Sequence, residues 1–376
     1  MAGKSASSSQ LPSSSHRLPT VSATEALQKL RAAPSKTIST GLPRLDALLS
    51  KAPRSLDIAE VQGLKPGHVV DVYGPPGSGK TTFCLQAAVS SLRKGYHVVW
   101  IDCGSPLVFD RLKMLLRRSP VCEYTTKELE EQASRFHYYM ITDLAHLVTL
   151  FTHPASDLAD VNTALIVIDS ISTVFDIAYS QFYDQQSKKQ SEIAKWAANR
   201  KYAVMGDLIS KLKRLATVND LVVLMTQQTR LRIRSGAGAL LLPTLSSIEW
   251  DHGVSTQLVL FRDFPPHPMT QPDPELAERW RRLRYAGLIK INGVSAEENG
   301  RFETVVPFTI EMHGLSQLPT PRSEVTVPVL SSPVRIGKRR FEEIADSEDE
   351  ALPSDDEYNY GDVDFEDGLF NLTKAP

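Results

Sequence analysis

The sequence predicts a doubly wound α/β domain with a mostly parallel sheet and antiparallel edge strands. Three observations carry this. Short apolar runs at Val69–Tyr73, His97–Ile101, Leu165–Ile168 and Leu221–Met225 are nearly continuous in apolar residues, as strands covered on both faces require. Helical spacing falls between several of them, most clearly at Met205, Leu208, Ile209, Leu212, Leu215 and Ala216, with Lys211, Lys213 and Arg214 on the other side. Later runs at Gln257–Phe261, Leu288–Ile291 and Val305–Ile310 follow with few helices between them, which suggests antiparallel hairpins at the sheet edge.

The flanks differ from this body. Residues 1–19 are dominated by Ser and Pro and are expected to be disordered. Ser22 to Glu25 fits a capping box that opens a linker helix within residues 20–35. The core is expected over residues 36–317, and a disordered acidic tail over 318–376. The chain's net charge of −2 conceals an asymmetry: residues 1–340 carry +10 and the remainder −12. A basic body with an acidic tail suits a protein that meets nucleic acid, although a solvated surface with a solubilising tail has the same composition. Three cysteines without a C-x-x-C pair argue against a disulfide framework or a zinc site. No apolar run approaches about 18 residues, so a spanning helix is not expected and no membrane partner is implied. The Ser-rich start lacks the apolar segment of a secretory signal, so the expected compartment is cytosolic or nuclear.

One segment carries specific chemistry. Gly74-Pro75-Pro76-Gly77-Ser78-Gly79-Lys80-Thr81 matches G-x-x-x-x-G-K-[ST] at every fixed position, between a strand and a helix that begins near Thr82. The glycines let backbone N–H groups wrap phosphates, and the following helix points its positive end at them. Lys80 would add a charge at the terminal phosphates, and the Thr81 hydroxyl would ligate magnesium. ATP and Mg2+ are the implied cofactors. Such a loop needs an acid for the metal, and Asp169 ends the apolar run Leu165–Ile168, at the carboxyl edge where α/β sheets bind ligands. At a third strand end, Thr226-Gln227-Gln228 reads either as solvated amides or as a sensor of the γ-phosphate.

In this order the pieces resemble the RecA/RadA recombinase family, specifically its eukaryotic paralogues and fungal in character. The resemblance extends to Ile38–Gly41 with Leu45-Asp46, Gly63–Gly67, Ile101-Asp102, Asp110–Leu112, Ile248–Arg262 and Val305–Gly314. It implies a RecA-like ATPase core. It also implies that Arg111 stacks on adenine, that Gln228 senses the γ-phosphate, and that two loops face single-stranded DNA. The first loop would fall within Asp176–Val204, with Phe182, Tyr183, Lys188, Lys189, Lys195, Arg200 and Lys201. The second would fall within Thr229–Glu249, where Arg230, Arg232 and Arg234 alternate as candidate backbone contacts. One solvated face of an extended segment would show the same alternation.

Two departures from the family pattern bear on activity. Gly104 stands where active recombinases carry a Glu that polarises the attacking water, so nucleotide binding with weak or absent hydrolysis is expected and no residue is assigned as catalytic. Thr20 stands where a Phe joins neighbouring subunits, which argues against a long self-filament. The expected protein is therefore nuclear. It would help load or stabilise the main recombinase filament on single-stranded DNA during double-strand-break repair by homologous recombination, as a heterodimer with a second paralogue. The alternatives are a DNA-dependent ATPase with its own filament and strand exchange, and a P-loop NTPase unrelated to DNA. In the tail, Arg335, Lys338, Arg339 and Arg340 suggest nuclear import, and Ser347 and Ser354 resemble acid-directed kinase sites. A basic helix over Glu275–Arg284, with Leu276, Trp280 and Leu283 on one face, follows a Pro-rich stretch.

Overall fold

The computed structural model describes residues 22, 24, 36–50, 63–107, 109–117, 125–154, 158, 160–179, 188–234, 238–262, 282–298, 301–302 and 305–318. The tail motifs, most of the linker helix, Thr20, Phe182, Tyr183, the Pro-rich stretch and residues 275–281 of the proposed basic helix lie outside them.

Helix α1 (Pro43–Ser50) is followed by β1 (Val69–Tyr73), α2 (Lys80–Arg93), β2 (His97–Asp102), α3 (Phe109–Arg117), α4 (Thr126–Ser134) and β3 (Phe136–Met140). Next come α5 (Leu144–Thr152), β4 (Thr163–Asp169), α6 (Ile171–Tyr179), α7 (Lys188–Asn219) and β5 (Val222–Gln227). A hairpin of β6 (Thr229–Arg234) and β7 (Gly238–Pro243) then leads through α8 (Ile248–Gly253) to β8 (Thr256–Phe261). The chain continues with β9 (Arg284–Ile291) and the short strands β10 (Val294–Ser295), β11 (Glu297–Glu298) and β12 (Arg301–Phe302). It closes with β13 (Val305–Glu311) and β14 (Gly314–Gln317).

The main sheet runs β14-β13-β9-β8-β1-β5-β4-β2-β3, with β10 bonded to β9. From β8 to β3 every pairing is parallel, and from β8 outward through β9, β13 and β14 every pairing is antiparallel. Alternate residues of each parallel strand enter opposite cores, as the period of two demands. Val70, Val72, Val98, Trp100, Leu165, Val167 and Leu224 pack with α1, α2 and α3 on one face. Val69, Val99, Ile101, Ile166, Ile168, Val223 and Met225 pack with α5, α6, α7 and α8 on the other. The helical pattern at Met205–Ala216 behaves as expected: Met205, Leu208, Ile209, Leu212 and Ala216 are all buried.

The structure adds to the sequence expectations in three places. β8 makes the expected antiparallel pair with β9 on one side and also a parallel pair with β1 on the other, so the sheet changes sense across β8. β3 was not anticipated, because Phe-His-Tyr-Tyr-Met is half-buried at the sheet edge and lacks the aliphatic run of an inner strand. The basic helix cannot extend to Arg284, which opens β9.

The strand order places the phosphate loop at a switch point. From β1 the chain crosses to β2 on one side, yet β8 returns to the other side of β1. A crevice between diverging connections therefore opens at the carboxyl end of β1, where open α/β sheets bind ligands.

Candidate nucleotide site

Residues 74–81 link β1 directly to α2, and Gly79 caps the helix at φ 106°, a left-handed conformation that disfavours any other residue. A Cβ there would also lie 2.8 Å from Ile310 Cδ1. Pro76, Gly77 and Thr81 are exposed, Pro75, Gly79 and Thr82 half-buried, and Gly74, Ser78 and Lys80 buried. Lys80 Nζ donates to Gly74 O at 2.7 Å, Pro75 O at 3.2 Å and Gln228 Oε1 at 3.3 Å. Burial pulls the Lys80 ammonium's pKa down, and the Asp169 charge opposes that. A cation held by neutral oxygens and under-compensated in this way favours an anion. The buried Ser78 Oγ has no hydrogen-bond partner. The loop therefore fits a phosphate chain.

Asp169 ends β4, two strands from β1, and its Oδ1 accepts a bond from Thr226 Oγ1 on the intervening β5. Among the described residues no three potential metal ligands of the His, Cys, Asp and Glu type come together. A divalent ion would accordingly draw on Thr81, Asp169, water and the phosphate oxygens, the usual habit of magnesium. Asp102, the register partner of Asp169 on β2, accepts from Gly104 N at 3.1 Å and Tyr138 Oη at 3.2 Å. Its carboxyl is raised above the ordinary range by burial, and further by the charge of Asp169. Burial likewise pushes the Cys103 thiol up to about 12, which leaves it inert at neutral pH.

The amides at the end of β5 are engaged within the protein, Gln227 buried and Gln228 half-buried. Gln227 is fully buried; its Nε2 donates to Asp71 Oδ2 at 2.6 Å and its Oε1 accepts from Leu245 N at 2.7 Å. Gln228 N donates to Ser172 Oγ at 3.0 Å, and Gln228 O accepts from Thr244 N at 3.0 Å and Thr244 Oγ1 at 2.9 Å. The two glutamines thus staple both ends of the β6–β7 hairpin to the sheet beside Lys80. Within that hairpin the register pairs Arg230 with Leu242, Arg232 with Leu240 and Arg234 with Gly238. The expected second loop is therefore largely a two-stranded ribbon, and Arg230 is exposed. The expected first loop is narrowed too, since α6 ends at Tyr179 and α7 begins at Lys188. Lys195, Arg200 and Lys201 consequently sit on a helix, where Arg200 lies 5.6 Å over the exposed Trp196 ring.

Arg111, the residue expected to stack on adenine, is held through the edge of its guanidinium. Its guanidinium donates to Met312 O at 2.9 Å and Glu311 O at 2.6 Å, which ties α3 to the end of β13. Gly104 is exposed, and among the described residues a Cβ added to it would meet only Thr173 Oγ1, at 3.7 Å. Thr226, from the expected sensor segment, reaches Asp169, and residues absent from the sequence expectation also reach the site: Ser172, Asp71 and Arg284, whose Nε donates to Gly77 O at 3.3 Å. The one signal for Asp71 was a carboxylate inside an otherwise apolar strand. Nothing local marked Arg284.

At the opposite end of β1 lies a basic cleft of about 350 Å³, lined by Lys65, His68, Lys213, His252, Val254, Ser255, Asn292 and Gly293. No carboxylate lines it. Burial, then the charge of Lys65, holds the His68 pKa below its usual value.

A phosphate loop between β1 and α2, an acid one strand beyond β5, and polar groups ending β5 define a RecA-like P-loop ATPase. The sequence pattern of the KaiC ATPase family matches residues 38–188, and the chain carries a KaiC-like ATPase domain of the RecA family. Its relatives are DNA repair and recombination proteins. The DNA repair protein rhp55 of Schizosaccharomyces pombe is 24% identical over 242 residues, covering 53% of this chain and 69% of that protein. The human DNA repair protein RAD51 homolog 2 is 24% identical over 232 residues, 57% of this chain and 60% of that protein. A DNA repair and recombination protein RadB of Methanococcus maripaludis is 24% identical over 168 residues, 43% of this chain and 64% of its own length. The crystal structure of the RadB recombinase superimposes with a TM-score of 0.50 at 21% identity, covering 75% of this chain and all of that one, a likeness of fold.

Proposed function

We propose that this protein is a nuclear, ATP-binding recombinase paralogue that helps load or stabilise the main recombinase on single-stranded DNA during double-strand-break repair. The observation that carries the reading is the direct path from Lys80 through Gln228 to Thr244, at the base of the hairpin bearing Arg230, Arg232 and Arg234. A γ-phosphate competes with Gln228 Oε1 for Lys80 and itself attracts the amide. Nucleotide occupancy thereby biases the hairpin, which meets the DNA backbone. Thr81 and Asp169 would hold magnesium, and the missing carboxylate at Gly104 leaves binding favoured over turnover.

The basic cleft supports assembly with a second paralogue. It lies at the end of β1 away from this chain's own phosphate loop, so the nucleotide it can meet belongs to a neighbouring subunit. ATP would then bridge the heterodimer. Lys80→Ala tests the switch. It should lower nucleotide affinity, weaken partner capture, and weaken salt-dependent binding of single-stranded DNA. Nucleotide affinity equal to wild type would sink the assignment. Robust DNA-stimulated turnover by the isolated protein would replace it with a self-sufficient ATPase.

A further inference from the structure

The outer wall of the phosphate loop comes from strands far along the chain. β9 runs antiparallel to β8, so its first residue lies at the edge where the parallel strands end. There Arg284 Nε donates to Gly77 O at 3.3 Å, and Nη1 donates to Arg282 O at 2.8 Å. The arginine stem closes over the loop: a Cβ on Gly79 would lie 3.7 Å from Arg284 Cδ. The Gly77–Ser78 peptide is consequently held from both sides, because Ser78 N also donates to Pro75 O at 3.2 Å. Among the described residues no carboxylate pairs with Arg284. Burial and the nearby Arg262 charge both disfavour its cationic form, and arginine cannot shed its proton in response. The loop carbonyl and the Arg282 carbonyl are what compensate it.

We infer that Arg284 is a positioning residue of the nucleotide site, bracing the phosphate loop from outside through Gly77 so that the remaining loop N–H groups are pre-arranged for phosphate. The inference rests on the nucleotide-binding reading above. A loop with three glycines loses much conformational freedom when it closes on a ligand, and a brace in place beforehand reduces that cost. A brace acts on the loop common to all nucleotides, so it serves di- and triphosphate alike.

Arg284→Met keeps the apolar stem and removes the donors. Using the full chain with magnesium, affinities for ADP and for a non-hydrolysable ATP analogue should weaken in parallel, by roughly fivefold, the cost of ordering about one loop residue that the brace no longer meets in advance. Arg284→Lys should recover most of that loss, and the melting temperature without nucleotide should stay at the wild-type value in both variants. Unchanged affinity for both nucleotides in the Met variant would overturn the brace. A loss confined to the triphosphate would also overturn it, in favour of direct contact with the terminal phosphate. Melting temperatures that fall in both variants along with affinity would assign Arg284 to the fold and not to the site. Failure of the nucleotide reading itself is separable, because then the wild-type chain binds neither nucleotide.

Discussion

Gly104→Glu tests whether this site lacks only the carboxylate that activates water. The position is open: it is exposed, its φ is not left-handed, and the single neighbour of an added Cβ among the described residues is Thr173 Oγ1 at ordinary contact distance, 3.7 Å. Its N–H bond to Asp102 Oδ1, 3.1 Å, involves backbone and survives the change. The new charge would join Asp102 and Asp169, and at about 8 Å through water such repulsion costs roughly 0.5 kcal/mol per pair. Replacing glycine also removes unfolded-state freedom, about 0.4–1 kcal/mol in the opposite direction. The two nearly cancel, so the melting temperature should move little. A positioned general base contributes about 10²–10⁴-fold. Even imperfect placement should raise turnover by at least about tenfold, measured as phosphate release from Mg-ATP with and without single-stranded DNA, while ADP affinity stays constant. A folded, nucleotide-binding Gly104→Glu protein with wild-type turnover would refute the reasoning, and so would a wild-type chain that already hydrolyses ATP rapidly.

Three further expectations concern the wiring and the frame. Asp71 is fully buried with a carboxyl pushed up to about 7, chiefly by burial, and its Oδ1 has no partner. Because the folded state holds this proton more tightly than the unfolded chain, the stability it contributes is complete below about pH 4 and is lost as pH rises through about 7. Asp71→Asn should flatten that decline and stabilise the protein at pH 8 by at most about 4 kcal/mol, read from denaturant unfolding at pH 5 and pH 8; an unaltered pH slope counts against it. Gln228→Ala should leave ADP affinity within about twofold yet reduce the advantage of a triphosphate analogue in single-strand binding, since it removes the bridge from Lys80 while Gln228 O still holds Thr244. Undiminished coupling of nucleotide to DNA would dismiss the sensor. Gly63→Ala should destabilise by about 2–3 kcal/mol or more, because φ is +130° and a Cβ would lie 2.2 Å from Ile38 O; a melting temperature equal to wild type would contradict that geometry.

The phosphate loop, its strand and its helix were legible in the sequence because their geometry is local: glycine dihedrals and a helix terminus are determined by adjacent residues. The place of Asp169 at a strand end was legible for a similar reason, as an apolar strand of this length fixes where its end falls. The parallel inner strands declared themselves through burial on both faces. Strand order did not, and with it went the parallel pairing of β8 with β1, since Gln257–Phe261 has the same composition whichever neighbour it finds. The contacts that turn a phosphate cradle into a wired site also depend on that order. Gln227 meets Asp71 across 156 residues of sequence, and Arg284 meets Gly77 across 207. The sequence by itself thus determined where the candidate phosphate loop lies and which strand end carries the candidate acid. Only the tertiary structure decided that two glutamines tie it to an arginine-bearing ribbon and that a distant arginine hydrogen-bonds it, because hydrogen bonds between strands follow proximity in the sheet and no local pattern encodes that proximity.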